Sequence, residues 1–376
     1  MVYIHERAEW PEFEWNSEGV FKRLAEVRHK QGRLLGRMGS LGFNLKAEAS
    51  LQTLTEEVVK SSEIEGEILD RDQVRSSIAQ RLGMDIGALT PAERHVEGVV
   101  ELMLDATQKY DQALTTDRLF GWHAALFPTG RSGMQKITVG GWRTEQAGPM
   151  QVVSGALGRE RVHFEAPAAK RLSTEMKAFL DWFNTERGQD QVIKAALAHL
   201  WFVTIHPFED GNGRIARAIA DLALARSEQS TQRFYSMSAQ IRKERKAYYD
   251  ILEKTQRGGL DITNWLDWFL GCLDRAFDGA DTIIGNVLEK AAFWEKHAAS
   301  DLNDRQRLML NRLLDGFEGK LTSSKWEKIA KVSQPTATRD INDLIKRGIL
   351  RRDAAGGRST SYSLVLSDAD QTDRPT

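Results

Sequence analysis

What most constrains this chain is a twelve-residue stretch, His206-Pro207-Phe208-Glu209-Asp210-Gly211-Asn212-Gly213-Arg214-Ile215-Ala216-Arg217, set between two apolar runs. The run from Val192 to Ile205 is broken mainly by Lys194 and His199, which fits a helix buried on most of its sides. After the stretch, Ile215, Ala218, Ile219, Leu222 and Ala223 recur at helical spacing, so a second helix is expected to begin near Asn212. The stretch is therefore a tight loop joining two core helices.

Such a loop suits phosphate. Glycines at 211 and 213 let backbone N–H groups face inward, and the N-terminus of the second helix adds partial positive charge. Arg214 and Arg217 supply planar, multidentate donors for further phosphate oxygens. Asp210 offers the hard oxygen that Mg²⁺ prefers to share with phosphates, and His206, closing the buried helix, suits a general base acting on a hydroxyl.

These residues resemble the Fic family signature, His-x-Phe-x-(Asp/Glu)-Gly-Asn-Gly-Arg-x-x-Arg, at every fixed position. The resemblance implies a mainly α fold, a helical Fic core with a β-hairpin flap. It also implies transfer of AMP from ATP, with Mg²⁺, to a hydroxyl side chain of a target protein, releasing pyrophosphate. Carried onto this chain, His206 would be the base, Phe208 the loop anchor and Asp210 the Mg²⁺ ligand. Gly211, Asn212, Gly213 and Arg214 would form the anion hole, and Arg217 would reach the γ-phosphate. Gly213 leaves that hole open, which favours AMP transfer over the phosphate-transferring orientation of relatives with a bulkier residue there.

A second stretch, Ser61-Ser62-Glu63-Ile64-Glu65-Gly66, puts Ser61 and Glu65 on one helix face and lets the chain turn at Gly66. It resembles the family's inhibitory motif, (Ser/Thr)-x-x-x-Glu-(Gly/Asn), in which the glutamate pairs with the second arginine, here Arg217, and keeps the γ-phosphate from its productive place. A thousandfold repression needs about 4 kcal/mol of bias, and removing one partner of a desolvated ion pair costs roughly 3–5 kcal/mol.

Composition narrows the class. One cysteine, Cys272, excludes an internal disulfide framework and a multi-cysteine zinc site, and it suits a reducing cytoplasm. The N-terminus lacks the apolar core of a signal peptide, and no run of about twenty apolar residues suggests a membrane span. The net charge of −1 hides a split: Lys320 to Arg358 holds ten Lys/Arg against four Asp/Glu, a local +6 that leaves −7 elsewhere.

Four segments are expected. Residues 1–90 form an N-terminal helical module, opened by an aromatic cluster (Trp10, Phe13, Trp15) that packs on the body. Residues 91–275 form the Fic domain, where Val152, Val153 and Ser154 belong to the hairpin whose edge would hold the target's backbone. His163 on the facing strand reads as a surface histidine rather than a second base. On a later helix Tyr249 and Gln256 share a face; the resemblance assigns them to adenine, and core packing of Tyr249 is the competing reading.

Residues 276–366 form a linker helix and a winged helix-turn-helix, with Ser333 and Pro335 opening its clearest helix and Gly348 ending it. Thr336, Thr338, Arg339, Asn342 and Lys346 lie on its recognition side, with Arg358 at the wing tip, so the module could contact DNA or serve as a protein-binding or dimerising surface. Residues 367–376 read as a disordered tail. Partners expected on this reading are ATP, an unknown target protein or the chain itself, and a second copy in a homodimer. Two functional classes stay open: an AMP-transferring enzyme, with AMP removal as its hydrolytic variant, and a nucleotide-sensing DNA-binding regulator.

Overall fold

The computed structural model describes residues 2–86, 89–155, 159–185, 188–317, 319–353 and 360–365. The chain divides into two compact units, Met1–Asp281 and Thr282–Thr376. No helix among the described residues is long and apolar enough to cross a membrane.

The first unit opens with α1 (Ser17–Gly39), α2 (Phe43–Ile64) and α3 (Arg71–Arg81). Local chemistry sets their ends: the side chain of Asn16 accepts from Gly19 N, and that of Asp70 accepts from Asp72 N and Gln73 N. Glu65 caps the C-terminus of α2, and Gly66 at φ 88° turns the chain away. α4 (Arg94–Gln108) and α5 (Thr116–Leu126) follow, then the short pair β1 (Arg131–Ser132) and β2 (Gln135–Lys136).

Next comes an antiparallel hairpin, β3 (Gln151–Ser154) with β4 (Arg161–Glu165), irregular between Val152 and Val153. It leads into α6 (Leu172–Thr185), α7 (Gln191–Ile205) and α8 (Asn212–Glu228). Every residue of α7 after Gln191 is buried, and the helix packs chiefly on α8. The apolar run on all sides of α7 thus marks the middle of the bundle. The N-terminal aromatics reach it too, with Trp10 and Phe13 edge-on to Trp201 and Trp10 Nε1 donating to Glu175 at 2.9 Å.

α9 (Met237–Lys243) and α10 (Arg245–Gln256) complete the shell, and α2 lies against α9, α3 and α8. α11 (Thr263–Lys296) begins before residue 276, where the linker helix is expected from the sequence. Its residues from 282 on belong to the second unit.

That unit adds α12 (Asp304–Leu314), α13 (Ser323–Ala330), α14 (Gln334–Lys346) and an antiparallel pair, β5 (Leu350–Arg352) with β6 (Tyr362–Leu364). Its core gathers Met309, Leu310, Trp326, Ile341, Leu344 and Ile349. Pro335 stands in the first turn of α14, where its missing N–H is harmless, although Ser333 makes no side-chain cap bond. Arg358 and the tail 367–376 lie outside the described residues.

Candidate active site

The site grows from the α7–α8 junction. His206 ends α7 in the left-handed region, φ 52°, with its backbone N–H still donating to Phe202 O at 3.0 Å. Gly211 caps α8 at φ 82°, and a Cβ there would meet the Phe127 ring at 2.9 Å. Between them Asn212 closes the loop on itself: its Oδ1 accepts from Phe208 N at 2.9 Å and its Nδ2 donates to Phe208 O at 2.8 Å. Phe208 is fully buried, as an anchor must be.

Two residues from other elements finish this scaffold. His123 of α5 stacks on the Phe208 ring, 4.2 Å between centroids and 6° apart. Its Nε2 meets the carbonyl of Asp210 at 3.2 Å and its Nδ1 meets the backbone N of Gly140 at 3.4 Å. Because a carbonyl only accepts, the proton sits on Nε2, leaving Nδ1 to accept from Gly140. Arg143 donates from Nε to His206 O at 2.8 Å and from Nη2 to Pro167 O at 2.5 Å, while its backbone N–H donates to Pro207 O at 2.9 Å.

The chemistry of His206 follows from its setting. Burial, with the Arg143 cation adding to it, lowers the imidazole pKa to about 4, so the ring is neutral near pH 7. Its Nδ1 lies 3.2 Å from Val203 O, which places the proton there and leaves Nε2 with a lone pair. A neutral imidazole with a free Nε2 can accept a hydroxyl proton.

The arginines frame the start of α8. Arg217 is buried and ties α2 to the loop: Nε donates to Ser61 Oγ at 2.9 Å, and Nη2 to Ser61 O and Glu65 Oε1, each at 2.8 Å. A Cβ on Gly213 would stand 2.2 Å from Glu65 Oε1 and 3.3 Å from Arg217 Nη1. The Glu65 carboxylate therefore lies directly over Gly213. Arg214 crosses the Phe127 ring at 5.2 Å and pairs through Nη1 with Glu67 at 2.7 Å.

Buried and without a hydrogen-bond partner among the described residues are Arg217 Nη1 and Arg214 Nε. The Tyr248 phenol stands close to Arg217, but no hydrogen bond of acceptable geometry reaches Nη1. Two orphaned cationic N–H groups, glycine backbone and a helix N-terminus make a cradle for an anion.

Asp210 accepts from Gly211 N at 2.5 Å and from the Ser132 hydroxyl, beside an open cleft of about 570 Å³ lined by Glu65, Glu67, Phe127, Ser132 and Arg214. No group of three or more His, Cys, Asp or Glu suited to a metal occurs among the described residues. One carboxylate beside an anion cradle nevertheless fits Mg²⁺, which takes a carboxylate oxygen together with phosphate oxygens and water.

The remaining sequence-expected residues fall around this centre. Ser61, Glu65 and Gly66 stand where α2 ends over α8. Tyr249 is partly exposed and its hydroxyl meets Ile64 O at 3.4 Å, a carbonyl that Arg245 Nε also holds at 2.8 Å. Gln256 is buried and donates to Thr204 Oγ1 at 3.2 Å, so the two share a helix but not an environment.

Val152, Val153 and Ser154 form β3, whose edge opposite β4 carries no strand among the described residues. His163 does more than decorate the hairpin: Nε2 meets Ser154 Oγ at 2.5 Å and Nδ1 meets Glu253 of α10 at 2.6 Å. Arg257 adds bonds to Val162 O at 2.5 Å and His163 O at 2.8 Å, fastening the hairpin to α10. His123 and Arg143 were missed by sequence reasoning. The only local signal was the Gly140-Gly141-Trp142-Arg143 stretch, whose Trp142 packs on Phe208 at 5.1 Å.

Parts of the sequence match known family models. Residues 113–224 match the Fic/DOC family, and residues 3–84 match a domain of unknown function (DUF4172). The chain thus carries a Fic/DOC family domain. It is 27% identical over 264 residues to the protein adenylyltransferase Fic of Culex quinquefasciatus, covering 69% of this chain and 47% of that protein. The chain thus spans about half the length of the curated relatives it matches.

In fold it is similar to a Fic family protein from Desulfovibrio desulfuricans G20, with TM-score 0.52, 22% identity and coverage of 94% of this chain and 97% of that one. A Fic-domain signaling protein from Bacteroides thetaiotaomicron gives TM-score 0.50, 19% identity, and 69% and 98% coverage. The mainly helical Fic fold expected from the sequence is what these likenesses support.

Proposed function

We propose that this protein transfers AMP from ATP to a hydroxyl side chain of a protein, and that Glu65 restrains the reaction. The observation that carries the reading is a carboxylate in an anion's place: Glu65 Oε1, 2.8 Å from Arg217 Nη2 and seated over Gly213. A cradle that holds a carboxylate with a buried arginine holds a phosphate oxygen by the same bonds. While Glu65 sits there, the γ-phosphate cannot.

When the cradle is free, the backbone from Gly211 to Arg214 and the Arg217 guanidinium bind the phosphates and fix the α-phosphorus in line with the incoming hydroxyl. The hydroxyl oxygen forms a bond to that phosphorus, the bond to the bridging oxygen breaks, and pyrophosphate leaves. The hydroxyl proton passes to His206 Nε2, the nitrogen that the Nδ1–Val203 contact leaves open. Asp210 would hold Mg²⁺, which supplies neutralising charge for the phosphates. The β3 edge would take the target backbone as an added strand.

The second unit reads as a winged helix, and we propose that it contacts DNA. Thr338, Arg339, Asn342 and Lys346 line one open groove along α14, and the local charge from 320 to 358 is +6. Binding to duplex DNA that weakens steeply with salt, with a smaller slope after Arg339→Ala and Lys346→Ala, is the expected result. Salt-independent or absent binding would refute it.

The transfer reading is tested by intact mass after incubation with ATP and Mg²⁺ for three forms: wild type, Glu65→Gly, and Glu65→Gly with His206→Ala. An AMP-sized adduct on the chain or an added substrate protein should grow in the single variant, up to about a thousandfold faster than in wild type, and vanish in the double. Equal activity of wild type and Glu65→Gly would sink the restraint. Absence of ATP binding in every form would sink the reaction.

A further inference from the structure

We propose that Arg143 is a positioning residue of this reaction: one buried guanidinium ties the stem of the β3–β4 hairpin to the backbone of His206, so that the target-docking edge and the base are held as one piece. The inference rests on the transfer reading above.

The guanidinium makes its bonds to carbonyls alone. Nε reaches His206 O at 2.8 Å, and Nη2 reaches Pro167 O at 2.5 Å and Ile205 O at 3.5 Å. No carboxylate pairs with Arg143 among the described residues, though the side chain is only 4% exposed. A buried cation without a counter-ion persists only where something else uses its charge. Here that is the C-terminus of α7, whose last carbonyls point out of the helix with partial negative charge. Burial lowers the Arg143 pKa only to about 10, so it stays charged near neutrality.

The three carbonyls belong to two different pieces of the site. Ile205 and His206 are the end of α7 and the base itself. Pro167 lies two residues past Glu165, the end of β4, and the adjoining Ala166 N–H donates to Met150 O at 2.9 Å, one residue before β3 begins. The neighbour of Arg143, Trp142, packs on the loop anchor Phe208. Arg143 thus holds the only non-glycine left-handed residue of the loop, His206, from behind while gripping the base of the hairpin. A base and a target dock fixed by the same planar fork keep their separation when either shifts.

The charge has a second consequence at the imidazole. Arg143, Glu65 and Asp210 are the charged groups acting on His206, and of these only Arg143 works against protonation.

The test uses Arg143→Met and Arg143→Lys in the full-length Glu65→Gly chain. For Arg143→Met, transfer should lose about 100-fold in kcat, with KM for ATP within about twofold, because the phosphate cradle is untouched. The acid limb of its pH profile should move up, since a cation that opposed protonation is gone. Arg143→Lys keeps the charge but lacks the fork, so the acid limb should return while kcat recovers only in part.

Nitrogen NMR of the His206 ring in the nucleotide-free protein gives an answer independent of transfer. The Nδ1-protonated neutral form should dominate in the parent and give way to mixed tautomers, with a higher ring pKa, in Arg143→Met. An Arg143→Met chain with parental kcat, or with the parental His206 tautomer and titration, overturns the inference. If Arg143→Met does not fold, Arg143→Lys decides, and parental kcat in that variant overturns it. If the Glu65→Gly parent itself transfers no AMP, the transfer reading falls and the NMR arm still decides whether Arg143 sets the state of His206.

Discussion

α8 contributes one member, one turn apart, to each of two arginine–carboxylate pairs closed at 2.8 Å, and the pairs are built for opposite ends. In Arg233–Asp221 the side chains are 3% and 2% exposed; in Arg217–Glu65 the arginine is 2% exposed but the carboxylate 32%. The first pair is also wrapped. Glu57 of α2 accepts from Ser236 Oγ at 2.6 Å and Ser238 N at 3.0 Å, Tyr235 donates to Glu228, and the Arg233 guanidinium covers the Tyr235 ring at 4.5 Å. Asp221 Oδ2 and Glu57 Oε1 are both buried with no donor, and burial together with Glu57 holds the Asp221 carboxyl well above its ordinary range.

So α2 meets the α8 region at a sealed point, Glu57, and an open one, Glu65. On the proposed reading, release of the site is a loosening of the last two turns of α2 and not an undocking of the helix. Solvent already reaches the carboxylate that must leave.

Five measurements would break or sharpen this contrast. Arg233→Met removes one partner of the sealed pair and strands the acids around it; denaturant unfolding should show a loss of about 3–5 kcal/mol. A loss under about 1 kcal/mol would mean the network is not sealed.

A smaller effect is expected from pH. A carboxyl raised on folding stabilises most below its ordinary value of 3.8 and loses that contribution as pH rises through its folded value. Melting temperature should therefore fall as pH rises above 3.8, and Glu57→Gln should flatten that fall. The loop behaves in the opposite sense. Burial lowers His206 and His123 to about 4, so their contribution is present above the ordinary 6.5 and is lost as pH drops from 6.5 toward about 4. An acid-side melting curve unchanged by His123→Phe would contradict it.

Glu65→Gly should change unfolding free energy by less than about 1 kcal/mol, the scale of a pair with a third-exposed carboxylate, despite its large effect on transfer. The least effect belongs to Glu67→Gln: the Arg214–Glu67 pair has a carboxylate 35% exposed, and a few tenths of a kcal/mol by thermal melting is expected. A larger loss from either would place the seal at the wrong end of α2.

The loop between α7 and α8 was legible because its instructions are local. An apolar run ending at Ile205, glycines at 211 and 213 and the caps around them all act within a dozen residues. Glu65 was legible through its spacing from Ser61 and the glycine after it, though not its seat over Gly213. What escaped depends on distant chain segments.

Arg143 is 63 residues from the carbonyl it holds, and His123 is 87 residues from its own. His123 has no local pattern to betray it, and Arg143 has only the Gly140-Gly141-Trp142 stretch before it. For Gln256, helical spacing shows the face it shares with Tyr249 but not the Thr204 hydroxyl it donates to, 52 residues away. The tie from His163 to α10 was not legible because its partner, Glu253, lies 90 residues along the chain.

The carbonyl of Ile64 is fastened twice. Arg245 and Tyr249 both hold it, one residue before the glutamate that holds Arg217. On the proposed reading, misfiring would take two failures, since freeing the cradle means losing both fastenings. Because both contacts share one acceptor, their penalties are coupled, and a signal that undoes both at once releases the end of α2 in a single step.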